Sequence, residues 1–292
     1  MRSYFKIARF DHWFKNIFVL PGFLFSYVLI GEIDLQLNIL FKIIIGLVGI
    51  GFIASANYTI NEYLDAEFDR FHPIKKERAG AKGQLKINLV LFQYFSFITL
   101  GLGISFFFIN IAFTYINIFF LVMGILYNVK PFRTKDKAFI DVLSESINNP
   151  IRFLLGWVVI SPYVFPPTSI LFSYWFGGAF LMAIKRLSEY RSINNPDLAG
   201  KYRNSFRFYN ENNLILSSFF YALNSVFFLG IFLIKYRIEF LLSFPLVSAL
   251  FTIYLHLGLM EDSITQTPEK LYKSKSFLLF CIMSLTIILI LY

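Results

Sequence analysis

The chain has 292 residues, 57% hydrophobic, 20% aromatic and only 15% charged, with a net charge of +9. A water-facing domain carries about 25% charged residues, so a soluble globular protein is excluded and an integral membrane protein, with mean hydropathy +0.62, is expected. The positive balance requires no nucleic acid. Membrane orientation and anionic headgroups account for it, and phosphate-bearing substrates are further partners.

The opening stretch MRSYFKIARFDHWFKN lacks the apolar centre and small-residue cleavage site of a signal peptide. It predicts a basic amphipathic helix over 1–16 lying in the interface, with Phe5, Phe10, Trp13 and Phe14 toward lipid or protein. Windows of about 19 residues then select apolar stretches near 17–33, 38–60, 87–108, 110–127, 139–160, 168–186, 213–234, 239–258 and 276–292. Continuous runs of about twenty residues argue for helices rather than barrel strands. The expected architecture is all-α, a polytopic membrane bundle of nine transmembrane helices in a single domain, 1–292. Its cytoplasmic loops are expected at 61–86, 128–138, 187–212 and 259–275. All but Lys42, Arg152, Lys235 and Arg237 of the 27 cations fall in the N-terminal segment or at these loops. That bias predicts a multi-pass protein of the inner (plasma) membrane, N-terminus in the cytoplasm and C-terminus outside. Cys281, the one cysteine, lies in the last stretch and leaves no internal disulfide.

The second apolar stretch ends in NEYLDAEFD, residues 61–69, which sets four carboxylates in eight positions. Asn61, Asp65 and Asp69 are spaced four apart. On a helix they share an arc of about 80° and climb about 6 Å per step, with Glu62 one position round from Asn61. Like charges stacked at this spacing destabilise a helix unless a cation joins them. Hard oxygens so placed suit Mg²⁺, which takes one or two carboxylates and fills its other positions with water and substrate phosphates. A solvated acidic helix end is the alternative.

These residues resemble the NDxxDxxxD signature of the UbiA superfamily of intramembrane prenyltransferases, nine-helix bundles that hold Mg²⁺-diphosphate at that motif. Asn61, Asp65 and Asp69 match, and Glu62 stands where the family has Asp. The family's second acidic motif, of DxxxD type at the end of the sixth helix, is replaced by AIKRLSEYRS, with Lys185, Arg186 and Glu189. Within the superfamily the chain looks most like the decaprenyl-phosphate phosphoribosyltransferases. WFKN at Trp13–Asn16, ANYTINEYLDAEFDRFHPIKKER, LYNVKPFRTKDKAFIDVL, AIKRLSEYR and YRNSFRFYNENNL resemble that subgroup's motifs in order. SESINNPIRFLLGW departs from them, with Glu145, Asn148, Asn149 and Arg152 inside an apolar stretch. Charge at membrane depth usually marks a functional path; a Glu145–Arg152 packing network is the alternative.

The resemblance implies a Mg²⁺-dependent transferase that moves 5-phosphoribosyl from 5-phosphoribosyl 1-diphosphate to a polyprenyl phosphate. Asn61, Asp65 and Asp69 would be catalytic and, with Glu62, hold the metal. Lys76 and Arg78 would cap the donor diphosphate. Lys130, Arg133, Lys185 and Arg186 would grip the lipid phosphate or the ribose 5-phosphate. Tyr127, Asn148, Arg152 and Glu189 complete the substrate contacts. A UbiA prenyltransferase moving a prenyl group from a prenyl diphosphate lipid to an aromatic or other acceptor is the second reading. A transporter or non-catalytic membrane protein is the third; it leaves the acidic ladder unexplained.

Overall fold

The computed structural model describes residues 2–30, 37–260, 263–266, 271 and 274–291. Among them every regular element is helical. The helices are α1 (Arg2–Ile7), α2 (Leu20–Ile30), α3 (Leu37–Leu64), α4 (Ala66–Asp69), α5 (Ile87–Ile104), α6 (Ile111–Asn128), α7 (Ile140–Ser146), α8 (Asn148–Ile160), α9 (Thr168–Ile193), α10 (Pro196–Tyr202), α11 (Glu211–Tyr236), α12 (Phe244–Leu259) and α13 (Lys275–Leu291).

Seven stretches among the described residues are long and apolar enough to cross a membrane: Ser3–Ile30, Leu37–Leu64, Ile87–Ile109, Ile111–Asn128, Thr168–Ile193, Glu211–Tyr236 and Ile238–Leu259. They coincide with seven of the nine expected spans; the other two, expected at 139–160 and 276–292, are a broken helix and a shorter one among the described residues. The stretch expected at 139–160 is divided at Ile147 into α7 and α8. Pro150 gives the reason: its ring crowds the carbonyl four residues back, that of Ser146, and it has no N–H to bond it. The last stretch forms α13, 17 residues long, at the short end of the range that spans a bilayer, about 17–25 residues. Eight of the 17 positions of the expected loop at 259–275 lie outside the described residues, as do positions 31–36. Large apolar side chains stand outward on these helices, among them Phe107 at 78% and Leu242 at 69% exposure. Such faces suit lipid rather than water, and the chain is a multi-pass membrane protein.

The chain divides into two compact units. The first comprises residues 1–137, 147–166 and 201–203. Within it α2 and α8 approach backbone to backbone, as small residues permit in membranes. A Cβ on Gly22 would stand 1.8 Å from the Phe153 carbonyl oxygen, and one on Gly156 would stand 2.0 Å from that of Val19. The expected single helix over 1–16 is instead α1, a left-handed turn at Arg9 (φ 49°) and a 3-10 helix, Phe10–Val19. Phe5 and Phe14 face outward. Trp13 turns inward, donating to Ser55 Oγ at 2.9 Å with its ring over Gly51. A π-helical turn, Ser105–Ile109, closes α5, and the Asn110 side chain caps α6 by accepting from the Phe113 N–H at 2.8 Å.

The second unit comprises residues 138–146, 167–200 and 204–292. Aromatic rings join α9 to α11: Phe176 stacks on Phe228 at 5.9 Å and Phe172 at 5.0 Å. Gly258 on α12 fits against Ile184 of α9, where a Cβ would meet Ile184 Cγ2 at 2.2 Å.

Candidate functional site

The acidic ladder lies in the first unit, where α3 gives way to α4. Asp65 interrupts the helix (φ −93°, ψ −2°). The i→i+4 rhythm nonetheless continues, with the Asp65 N–H bonded to the Asn61 carbonyl at 2.9 Å and the Asp69 N–H to the Asp65 carbonyl at 2.8 Å. Asn61, Asp65 and Asp69 therefore keep the stacking that their spacing predicts.

Each carboxylate faces cations. Asp65 Oδ1 accepts from Arg133 Nη2 at 2.9 Å and pairs with Lys135 Nζ. Asp69 Oδ2 accepts from Arg78 Nη1 at 2.8 Å. Glu62, 5% exposed, lies 3.7 Å from Arg9 Nη2. The Asn61 amide donates to Asp65 Oδ2 at 3.2 Å and to Asn128 Oδ1, which also receives Lys135 Nζ at 2.7 Å. Beside Asp65 and Asp69 opens a cleft of about 280 Å³, counting space open to solvent, lined also by Arg133, Lys135, Tyr202 and Arg203.

The electrostatics follow from burial and pairing. Burial alone would raise the Asp65 carboxyl, but Lys135 and Arg133 hold it below the usual carboxylate range. Burial raises Asp69, aided by the charge of Asp65 and opposed by Arg78. Lys135 is lowered to about 8, chiefly by burial, with Asp65 working against the shift.

Arg133 is placed by the turn after α6, where it takes a left-handed conformation (φ 31°). Its other nitrogens donate to the Asn128 carbonyl and to Asp136 Oδ2, both at 3.0 Å, and its guanidinium covers the Phe68 ring. Tyr127 accepts from Arg203 Nη2 at 3.4 Å. Lys75 donates to the Tyr202 hydroxyl. His72 organises the loop by accepting the N–H groups of Ile74 and Lys75 at 3.1 and 3.2 Å. Lys76 and Lys130 are exposed, whereas their near neighbours Lys75 and Lys135 turn inward. Lys75, Lys135, Tyr202 and Arg203 are site residues that sequence reasoning did not select. Their signal was weak, because Lys75, Lys135 and Arg203 sit in loops and short turns without a period and Tyr202 ends the short helix α10.

Among the described residues no three His, Cys, Asp or Glu side chains converge into a ready metal cage. Two stacked carboxylates backed by an amide nevertheless fit a hard divalent cation that completes its shell with water and substrate phosphates. The surrounding guanidinium and ammonium groups fit those phosphates.

Deeper in the first unit Arg152, 7% exposed, donates through Nε to Asn16 Oδ1 at 3.4 Å and through Nη1 to the Asn148 carbonyl at 3.3 Å. Its guanidinium lies 5.2 Å from the centre of the Phe120 ring.

In the second unit Arg186, 1% exposed, is gripped by three carboxylates: Asp141 and Glu189, each at 3.2 Å, and Glu145. Asp141 also accepts from Tyr209 Oη at 2.6 Å and Ser205 Oγ at 3.2 Å. Lys185 is half-buried. Asp141 was missed in the sequence, although its i,i+4 relation to Glu145 signals a shared helix face.

The family model of the UbiA prenyltransferase family matches residues 18–283. The chain is 25% identical over 195 residues to the uncharacterized protein y4nM of Sinorhizobium fredii, covering 67% of this chain and 36% of that one. It is 27% identical over 164 residues to protoheme IX farnesyltransferase of Bacillus thuringiensis, covering 54% and 52%. The chain thus spans only about a third to a half of the length of these curated relatives. A UbiA homolog from Archaeoglobus fulgidus, solved with DMAPP and Mg²⁺, superposes with a TM-score of 0.72 at 20% identity, over 98% of this chain and 99% of the other. The same homolog with GPP and Mg²⁺ gives the same values, and a digeranylgeranylglyceryl phosphate synthase structure gives 0.63 at 20% identity, over 99% and 96%. With the family model covering most of its length and the fold shared nearly end to end, the chain belongs to the UbiA prenyltransferase family.

Proposed function

We propose that the chain is a Mg²⁺-dependent membrane transferase that expels diphosphate, moving 5-phosphoribosyl from 5-phosphoribosyl 1-diphosphate to a polyprenyl phosphate. The observation that carries this reading is the cationic ring around two stacked aspartates: Arg133 and Lys135 on Asp65, Arg78 on Asp69, and Arg203 at the same cleft. A donor that bears a phosphate in addition to its diphosphate uses this many cations; a donor with diphosphate alone uses fewer.

In this reading Asp65 and Asp69 hold the ion, with Asn61 and Glu62 supporting them. When bound, Mg²⁺ neutralises and orients the leaving diphosphate. Arg78 covers the diphosphate from the loop after α4, with Lys76 beside it. Arg133, Lys135 and Lys130 take phosphate oxygens, and Tyr127 steadies Arg203. Arg152 and Asn148 meet the acceptor. The donor C1–O bond breaks, its electron pair leaves with diphosphate, and an acceptor phosphate oxygen bonds C1 from the opposite face. That oxygen is already anionic near neutral pH, so no strong base is required. The chain lies in the plasma membrane with its N-terminus and acidic ladder on the cytoplasmic side, where a water-soluble donor arrives, and its C-terminus outside.

Prenyl transfer from a prenyl diphosphate to an aromatic acceptor is the second reading. The arrangement at Arg186 favours it: three carboxylates already engage this guanidinium, and prenyl transfer asks for no phosphate-binding cation there. The UbiA homolog solved with DMAPP or GPP, and the relative named protoheme IX farnesyltransferase, support a prenyl donor.

The test supplies the purified full chain with Mg²⁺ and a polyprenyl phosphate plus labelled 5-phosphoribosyl 1-diphosphate, or with a prenyl diphosphate plus 4-hydroxybenzoate. A labelled phosphoribosyl lipid supports the first reading. A prenylated aromatic without it replaces the first reading by the second.

A further inference from the structure

The Arg152–Asn16 pair contains a donor with nothing to bond. Asn16 is 4% exposed, and its Oδ1 accepts from Arg152 Nε, yet its Nδ2 is buried without a hydrogen-bond partner. A buried unsatisfied donor costs about 1–3 kcal/mol. Here it lies on the amide that touches a buried guanidinium, so two donors sit side by side. That pairing is complementary to an oxyanion.

An apolar pocket of about 210 Å³, counting space open to solvent, lies in the same unit, one turn along the chain from each member of the pair. Val19 and Gly156 both line it. Val19 follows Asn16 by three residues in a 3-10 helix, where i and i+3 eclipse. Gly156 follows Arg152 by four on α8, one turn along the same face. Phe23, Ile50 and Phe113 supply the other walls. Along α3 the order is cavity wall at Ile50, then Asn57, which donates to the carbonyl of Phe120 beneath Arg152, then the ladder. Asn57 stands about 12 Å, eight residues of rise, below Asp65.

We infer that Arg152 and Asn16 form the headgroup subsite of the acceptor, an amphiphile whose oxyanion binds the two donors while its isoprenoid chain starts in that pocket. This deepens the proposed function, on which it rests, by placing the acceptor in the first unit. It makes Asn16 a binding residue.

The test is equilibrium binding of labelled farnesyl phosphate to the full chain in nanodiscs, without metal or donor. Asn16→Asp is the decisive variant. Its carboxylate pairs with Arg152, so thermal stability is kept, but it repels an anionic headgroup; affinity is expected to fall at least about tenfold. Arg152→Gln loses binding similarly and Arg152→Lys recovers part of it. Inorganic phosphate is expected to bind more weakly than farnesyl phosphate, because it leaves the cavity unused. Asn16→Asp binding within twofold of wild type overturns the subsite. So does inorganic phosphate binding as tightly as farnesyl phosphate. Arg152-dependent binding of 4-hydroxybenzoate with none of farnesyl phosphate overturns the lipid assignment. The donor reading fails separately: absent phosphoribosyl transfer leaves these binding results standing, and intact transfer does not rescue them.

Discussion

Replacing Arg186 by Met removes the guanidinium that joins Asp141, Glu145 and Glu189. Asp141 is 0% and Glu189 3% exposed, so at least two carboxylates lose their bridging cation away from water. Breaking a buried ion pair by deleting one partner costs about 3–5 kcal/mol. At about 2–4 °C per kcal/mol for a chain of this size, the melting temperature of the full protein in detergent is expected to fall by roughly 6–20 °C. Arg186→Lys is expected to fall between the two, because an ammonium lacks the planar fork that meets several carboxylates at once. Adding Glu189→Gln to Arg186→Met is expected to return part of the loss, since neighbouring charges couple and the double variant buries one less uncompensated charge. Melting of Arg186→Met within about 2 °C of wild type, below roughly 1 kcal/mol, would refute the clamp. A guanidinium kept for substrate phosphate gives the opposite pattern: unchanged melting and a raised KM.

Asp65→Asn and Asp69→Asn are each expected to abolish turnover and weaken Mn²⁺ binding, measured by electron paramagnetic resonance; unchanged Mn²⁺ affinity in both removes the metal role. Arg78→Ala is expected to raise KM for the diphosphate donor at least about tenfold, because it removes a charge-assisted bond. Lys76→Ala, on an exposed side chain, is expected to have a smaller effect, and equal effects would contradict the inward role of Arg78. Gly156→Ala places a Cβ 2.0 Å from the Val19 carbonyl oxygen and 2.8 Å from the Phe23 nitrogen. Both atoms are backbone and can yield only by parting the helices, so a loss of about 3 kcal/mol is expected in thermal melting.

The parts of this site that the sequence made legible are those governed by a helical period. Asn61, Asp65 and Asp69 could be placed on one face because a four-residue spacing has one geometric meaning on a helix, and the structure keeps that spacing through the break at Asp65. The loops have no such period. Between Asn128 and Lys137 the sequence offers four cations, and their order says nothing of which one turns toward Asp65. Backbone conformation decides it: the left-handed turn at Arg133 brings Arg133 and Lys135 inward and leaves Lys130 at the surface. Arg186 illustrates a second limit. A cation where a carboxylate was expected reads as a phosphate ligand until its neighbours are known. Two of those neighbours, Asp141 and Glu145, come from a helix some forty residues earlier. The charge a substrate meets is thus set by pairings distant in sequence, and a residue's type alone cannot distinguish a cation presented to a ligand from one spent on holding helices together.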